Sequence, residues 1–171
     1  VGTATIPYGP LHVAMKLRNL ALMQFLVVEL DADVNQADCY GRTILYKSIQ
    51  GGDVAMVRYL LTELGASVNR EMEVGYFPFY YAVLLDNIDI ARYLVTCGAD
   101  VDQARSYIGA TALFEAVCRN NVAMVQCLVR ELGASIKQAT HDGMTPLFAA
   151  ARYGNLAIIQ CLAMEVGTDV N

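Results

Sequence analysis

The 171-residue sequence predicts an all-α solenoid of about five stacked helix-turn-helix units forming one domain. Three observations carry that expectation. A short motif, Thr145-Pro146-Leu147, returns upstream as Thr111-Ala112-Leu113, Phe77-Pro78-Phe79, Thr43-Ile44-Leu45 and Gly9-Pro10-Leu11, so the position of Leu147 steps back by 34 residues each time. A fixed period in this range marks stacked repeats. Each copy is followed by the punctuation of two short helices. Hydrophobic residues make up 56% of the chain and charged residues 17%, an apolar excess suited to helices that neighbouring units contact on two sides.

The last unit shows the grammar most completely. Thr145 is an N-cap whose hydroxyl can accept from an orphan backbone N–H, and Pro146 at N1 needs no N–H of its own. Leu147, Ala150 and Ala151 form a narrow stripe of small residues that lets a neighbouring helix approach. Gly154 and Asn155 tolerate a left-handed backbone and break the helix. Leu156, Ile158, Ile159, Leu162 and Ala163 then give a second helix with a broader apolar face, expected to end at Gly167 before Asp169-Val170-Asn171.

This pattern, G-x-TPL-x-x-AA-x-x-G-N-L-x-I-I-x-x-L followed by G-x-DVN, resembles an ankyrin repeat. The resemblance covers essentially the whole chain as units of about 3–34, 35–68, 69–101, 102–136 and 137–171. It implies antiparallel helix pairs joined by loops that project sideways as β-hairpin-like fingers.

In chain order, the first unit opens at Tyr8-Gly9-Pro10-Leu11-His12, has its second helix over about 20–30, and replaces the usual glycine by Asp31. Its helices lack the charged outer face of a terminal cap, so the chain is expected to be a segment of a longer array. The second unit substitutes Ile44 for proline and supplies Gly51, Gly52 and Asp53 at its inter-helix turn. The third is irregular: Phe77 stands where the Thr cap belongs, Asp86-Asn87 where glycine is usual, and one residue is missing before Gly98. It is expected to be the local weak point. The fourth unit restores the phase with one extra loop residue near Arg105. Elsewhere the additional residue before the loop is apolar, Leu30, Leu64, Leu132 and Val166, and reads either as a plug under the loop or as a neutral insertion.

Several function classes are disfavoured. Net charge is −5 with no Lys/Arg cluster, so a nucleic-acid partner is not expected. The apolar run 76–85 is about half a membrane span, and no basic segment with a cleavage site opens the sequence; no membrane partner is expected. The five cysteines, Cys39, Cys97, Cys118, Cys127 and Cys161, form neither a disulfide framework nor a zinc pattern and suggest an intracellular, cytoplasmic or nuclear, setting. Cys127 and Cys161 occupy the place of Phe25, Tyr59 and Tyr93 and read as packing residues. Gly41, Gly75, Gly109 and Gly143 recur with the repeat and read as turn glycines, not a phosphate loop. His12 falls where the family's TPLH histidine bonds within the loop framework, a place filled later by Tyr46, Tyr80, Phe114 and Phe148. His141 beside Asp142 has no nucleophile in reach. No catalytic residue, metal ligand or cofactor is expected.

The resemblance implies that finger tips and the exposed edge of the first helices make a concave face that binds another protein. On the fingers this assigns Tyr40, Arg42, Tyr76, Tyr107, Ile108 and Met144, with Tyr8 and Asp142 also at tips. On the first-helix edge it assigns Leu84, Leu85, Arg119, Arg152 and Tyr153, beside Gln50 and Cys118. Tyr and Arg are the types that anchor interfaces. The competing outcomes are that the tyrosines stack on one another to stiffen the fingers, that Leu84 is buried, or that the segment is a spacer in a longer array without its own ligand; an enzyme or metal site ranks below these. The protein is expected to be monomeric, end-to-end contact being the route to anything larger. Asn35, Asn69 and Asn171 resemble the family's loop-bridging asparagines.

Overall fold

A computed structural model describes residues 9–72 and 75–168, with side chains to 164. Tyr8, Asn171 and the side chain of Val166, all named above, lie outside the described residues. Five helix pairs follow one another: α1 (Pro10–Lys16) with α2 (Leu20–Val28), α3 (Ile44–Gln50) with α4 (Val54–Thr62), α5 (Pro78–Leu84) with α6 (Ile88–Thr96), α7 (Ala112–Cys118) with α8 (Val122–Gln126), and α9 (Pro146–Arg152) with α10 (Leu156–Thr168). Each first helix packs on its own partner and on the next first helix, α1 on α3 through α7 on α9, while α4 meets α6 and α8 meets α10. Among the described residues there is no β-strand.

The first helices start as the sequence predicts. The hydroxyls of Thr43, Thr111 and Thr145 accept from the N–H of Tyr46 (3.1 Å), Phe114 (3.2 Å) and Phe148 (3.2 Å), each cap being worth about 1 kcal/mol. A second series was not read from the sequence. Asn19, Asp53, Asn87, Asn121 and Asn155 cap the second helices, their side-chain oxygens accepting from the N–H three residues on at 2.9–3.1 Å. Asn155 is thus the start of α10 rather than merely the breaker of α9. The residue before each cap is left-handed, glycine at Gly52 and Gly154 but Arg18, Asp86 and Asn120 elsewhere.

The one-residue difference between units is absorbed at the ends of the second helices. The N–H of Leu30, Leu64 and Leu132 donates five residues back, to Phe25, Tyr59 and Cys127, at 3.1–3.4 Å. In the fourth unit this widening spreads over a π-helical turn, Cys127–Glu131, the form in which an inserted residue is commonly held in a helix. The shorter third unit instead closes on a four-residue bond from Cys97 to Tyr93. Leu64 is buried and Leu132 half-buried, as a plug would be, whereas Leu30 is exposed.

Loops are tied to one another by side chains. Asn35 Oδ1 accepts from Ser67 N (2.8 Å), Asn69 Oδ1 from Asp100 N (3.0 Å) and Asp102 Oδ1 from Ser135 N (2.8 Å). Lys137 stands at the corresponding place of the next loop, and its ammonium, a donor only, cannot accept such a bond. There the expectation of a helix ending at Gly167 is corrected, since α10 runs on to Thr168.

The stripe expected at Leu147, Ala150 and Ala151 is buried in the interior units, as Leu113, Ala116 and Val117 show, but in the last unit Ala150 alone is covered and Leu147 and Ala151 are exposed. Among the described residues α9 packs on α7 and α10. The third unit lacks its cap bond at Phe77, yet Phe79, Tyr80, Tyr81, Ala82 and Val83 are all buried. Tyr81 stacks on Tyr46 with centroids 4.4 Å apart, and Tyr76 leans on Tyr80 and Tyr81 at 5.5 and 5.9 Å. Such ring contacts are worth about 0.5–1.5 kcal/mol each, enough to offset the missing cap.

Candidate binding face

The fingers are tight turns, their two sides joined by a backbone hydrogen bond: Asp38 N to Arg42 O (2.9 Å), Met72 N to Tyr76 O (2.6 Å), Arg105 N to Ala110 O (2.9 Å) and Thr140 N to Met144 O (3.0 Å). The third of these spans one residue more, as the sequence predicts near Arg105. Gly109, at φ +67°, allows both the turn and the stacking of the next finger, because a Cβ there would lie 2.4 Å from the His141 ring and 2.9 Å from its backbone nitrogen. That same nitrogen donates to Ile108 O at 3.0 Å. Gly109→Ala should therefore cost about 2 kcal/mol or more in urea denaturation, with backbone strain and the clash both contributing. Gly143→Ala should cost less, since its Cβ meets nothing within 4 Å; equal losses would contradict the stacking contribution.

The finger of the second unit, Asp38 to Arg42, is built on a buried carboxylate that residue type alone does not single out. Asp38 Oδ1 accepts from the N–H of Tyr40 (2.9 Å) and Arg42 (3.0 Å), Oδ2 accepts from Arg42 Nε (3.1 Å), and Lys47 Nζ lies 3.7 Å away. Burial pushes this carboxyl up, but the two backbone N–H groups and the Arg42 guanidinium outweigh it and hold Asp38 below its ordinary value. Arg42 is consequently half-buried, its guanidinium 4.3 Å from the centre of the Tyr40 ring. Tyr40 itself is exposed.

Tyr76 departs from its expected role. It is half-buried, packed on Tyr80 and Tyr81, with the Arg105 guanidinium 4.3 Å from its ring centre, so stacking, the competing outcome, describes it better than a free anchor. Tyr80 beneath it donates its hydroxyl to Glu115 Oε2 at 3.0 Å. Burial pushes its phenol far above the ordinary value, and the Glu115 charge adds to this.

Tyr107, 73% exposed, is the most open of the assigned aromatics, and its ring lies against Gly75. With exposed Ile108 and half-buried Met144 it lines an open cleft of about 340 Å³ floored by Phe114. Leu84 and Arg119 share a second cleft of about 490 Å³, where Arg119 Nη1 donates to Leu84 O (3.4 Å) and Nε pairs with Glu115. Leu84 is half-buried; Leu85, Arg119, Arg152 and Tyr153 are exposed. Tyr153 hydrogen-bonds the Cys118 thiol, which burial and Glu115 nevertheless push up.

The buried His12 ring shares a 3.0 Å hydrogen bond between Nε2 and Arg42 O. Asp142 accepts from Thr140 Oγ1 (2.5 Å) and makes no dyad with His141. All five cysteines are free; Cys127 and Cys161 are buried, and burial with Glu131 pushes the Cys127 thiol up. Among the described residues no group of three His, Cys, Asp or Glu side chains lies together as a metal site, and no helix is long and apolar enough to cross a membrane.

Helix pairs in fixed register, with every second helix and three of the five first helices capped by a side chain, and carrying short stacked fingers, define a stacked-repeat protein. The family model described as "Ankyrin repeats (3 copies)" matches residues 11–105 and again 79–171. The chain belongs to the ankyrin repeat family, whose members are generally non-catalytic modules for protein–protein interaction. No curated protein gives a significant match to the chain.

Proposed function

We propose that this chain is a non-catalytic protein-binding module whose finger tips and first-helix edge form the binding face, with Tyr107, Ile108 and Met144 at its most exposed anchor point. The observation that supports this is their open cleft, where an exposed tyrosine and isoleucine stand beside a half-buried methionine over a buried phenylalanine. Exposed apolar clusters of this kind mark interaction sites, and large anchors seated in pockets dominate binding energy. Tyr40, Leu85, Arg119, Arg152 and Tyr153 extend the face, while Tyr76, Arg42 and Leu84 support it from below. A reducing intracellular compartment is the setting that five free thiols fit.

The test is affinity capture from a cell lysate followed by titration of the captured protein. Tyr107→Ala with Ile108→Ala should weaken binding by about 2 kcal/mol or more, roughly thirtyfold. Met124→Ala, at a fully buried position of α8, should lower stability with little direct effect on affinity. Unchanged affinity of the Tyr107/Ile108 variant, with the fold intact, would remove the cleft from the binding face and favour the spacer role.

A further inference from the structure

The charge of the first helices opposes that of the chain. The five helices α1, α3, α5, α7 and α9, with the residue that closes each, carry four cations, Lys16, Lys47, Arg119 and Arg152, and one anion, Glu115. The whole chain has a net charge of −5. Acidic side chains gather instead on the second helices and the loops leaving them, as with Asp33, Glu63, Asp89, Asp100, Asp102 and Glu131. Glu115 is already engaged by the Tyr80 hydroxyl and by Arg119, and Lys47 is held near Asp38. Lys16 and Arg152 are exposed and form no ion pair among the described residues.

The repeat sets these residues in a row. The last residue and the cap of successive first helices are Lys16-Leu17, Gln50-Gly51, Leu84-Leu85, Cys118-Arg119 and Arg152-Tyr153, every one of them exposed or half-buried. The row is therefore cationic at both ends and apolar at its centre. An apolar cleft of about 460 Å³, lined by His12, Val13, Met15, Lys16 and Lys47, lies at the α1 end.

We propose that this row binds an extended acidic peptide segment with an apolar centre, its carboxylates meeting Lys16 at one end and Arg152 at the other, its apolar side chains lying on Leu84 and Leu85. This rests on the reading of the first-helix edge as part of the binding face. Four steps between packed helices of roughly 8–10 Å each span a row that roughly ten to twelve extended residues would cover at about 3.3 Å per residue. A nucleic-acid strand fits less well, because the unbroken run of phosphates along its backbone would set charges over Leu84, Leu85 and the uncharged Gln50.

Selection of phage-displayed random dodecapeptides on the full chain tests this, followed by fluorescence anisotropy of the enriched peptides and of an oligothymidylate of equal length. Enriched peptides are expected to carry carboxylates toward both ends and apolar residues between. Lys16→Glu with Arg152→Glu should weaken them at least about tenfold, and added salt should weaken them further. Both sites are exposed and unpaired, so the double variant should keep its helical circular dichroism and melting profile. Peptides without acidic bias, or insensitive to the double variant, would overturn the proposal; if Tyr107→Ala still abolished their binding, the finger-cleft reading would stand. Absence of any enriched peptide would also overturn it, leaving the finger cleft to its own capture experiment. Tighter binding of oligothymidylate than of the selected peptides would overturn it in favour of a polyanion site.

Discussion

Leu113→Ala is expected to lower stability by about 3 kcal/mol, and Leu147→Ala, the same substitution one repeat further on, by less than half as much. Both leucines hold the same place in the repeat, but Leu113 is fully enclosed between α5 and α9 while Leu147 is 38% exposed. Truncating an enclosed leucine removes its transfer free energy and leaves a cavity that packed neighbours fill only partly, at about 2–5 kcal/mol. At Leu147 solvent already reaches the site, so less area is lost and no closed void forms. Urea denaturation of the two variants measures the difference directly. Equal losses would mean that the helix pairs do not derive their stability from stacking, against the nearest-neighbour energetics of repeat proteins.

Asp38→Ala is expected to be comparably damaging, at about 2–3 kcal/mol, because a buried donor left without its acceptor costs about 1–3 kcal/mol. The Asp38 side chain is fully enclosed, and its loss takes the acceptor from two backbone N–H groups and the carboxylate from beside Arg42 and Lys47. The pH dependence has a definite sign. A carboxyl whose folded-state pKa is depressed contributes stability that is present above its unfolded value near 4 and is lost as pH falls through the lower folded value. Wild-type protein should hold its stability through the neutral range and lose it in acid below about pH 4, and Asp38→Asn should flatten that acid limb. An unchanged acid limb in Asp38→Asn would show that this carboxylate is not what the second finger depends on.

Legibility differed between the helices and the face. The Thr caps, the turn glycines and the buried fate of Cys127 and Cys161 followed from residue type and register, because each depends on contacts within one repeat or on a place that recurs. The acceptor series from Asn19 to Asn155 is equally regular in its spacing, though an Asn after Gly154 reads as a helix breaker as readily as a cap. Asp38 was not readable: nothing in Asp38-Cys39-Tyr40-Gly41-Arg42 tells an exposed loop acid from one that organises its own turn. The widened ends of α2, α4 and α8 were also hidden, since an extra residue near a helix end can enter the loop or the last turn, and packing decides which.

The tip tyrosines show the same division. Tyr40, Tyr76 and Tyr107 all stand within two residues of a finger glycine, at three different offsets, yet Tyr107 stands in solvent while Tyr76 is held between Tyr80, Tyr81 and Arg105. The sequence by itself determined the period, the order of helices, the family and the side of each helix that meets its neighbours, because a repeat states its local rules five times over. Only the tertiary structure decided which apolar places are covered, which tip residues are free to meet a partner and which acid carries a finger. Those outcomes depend on what the adjacent repeat supplies at the point of contact, and a residue's type and register do not specify its neighbour across the stack.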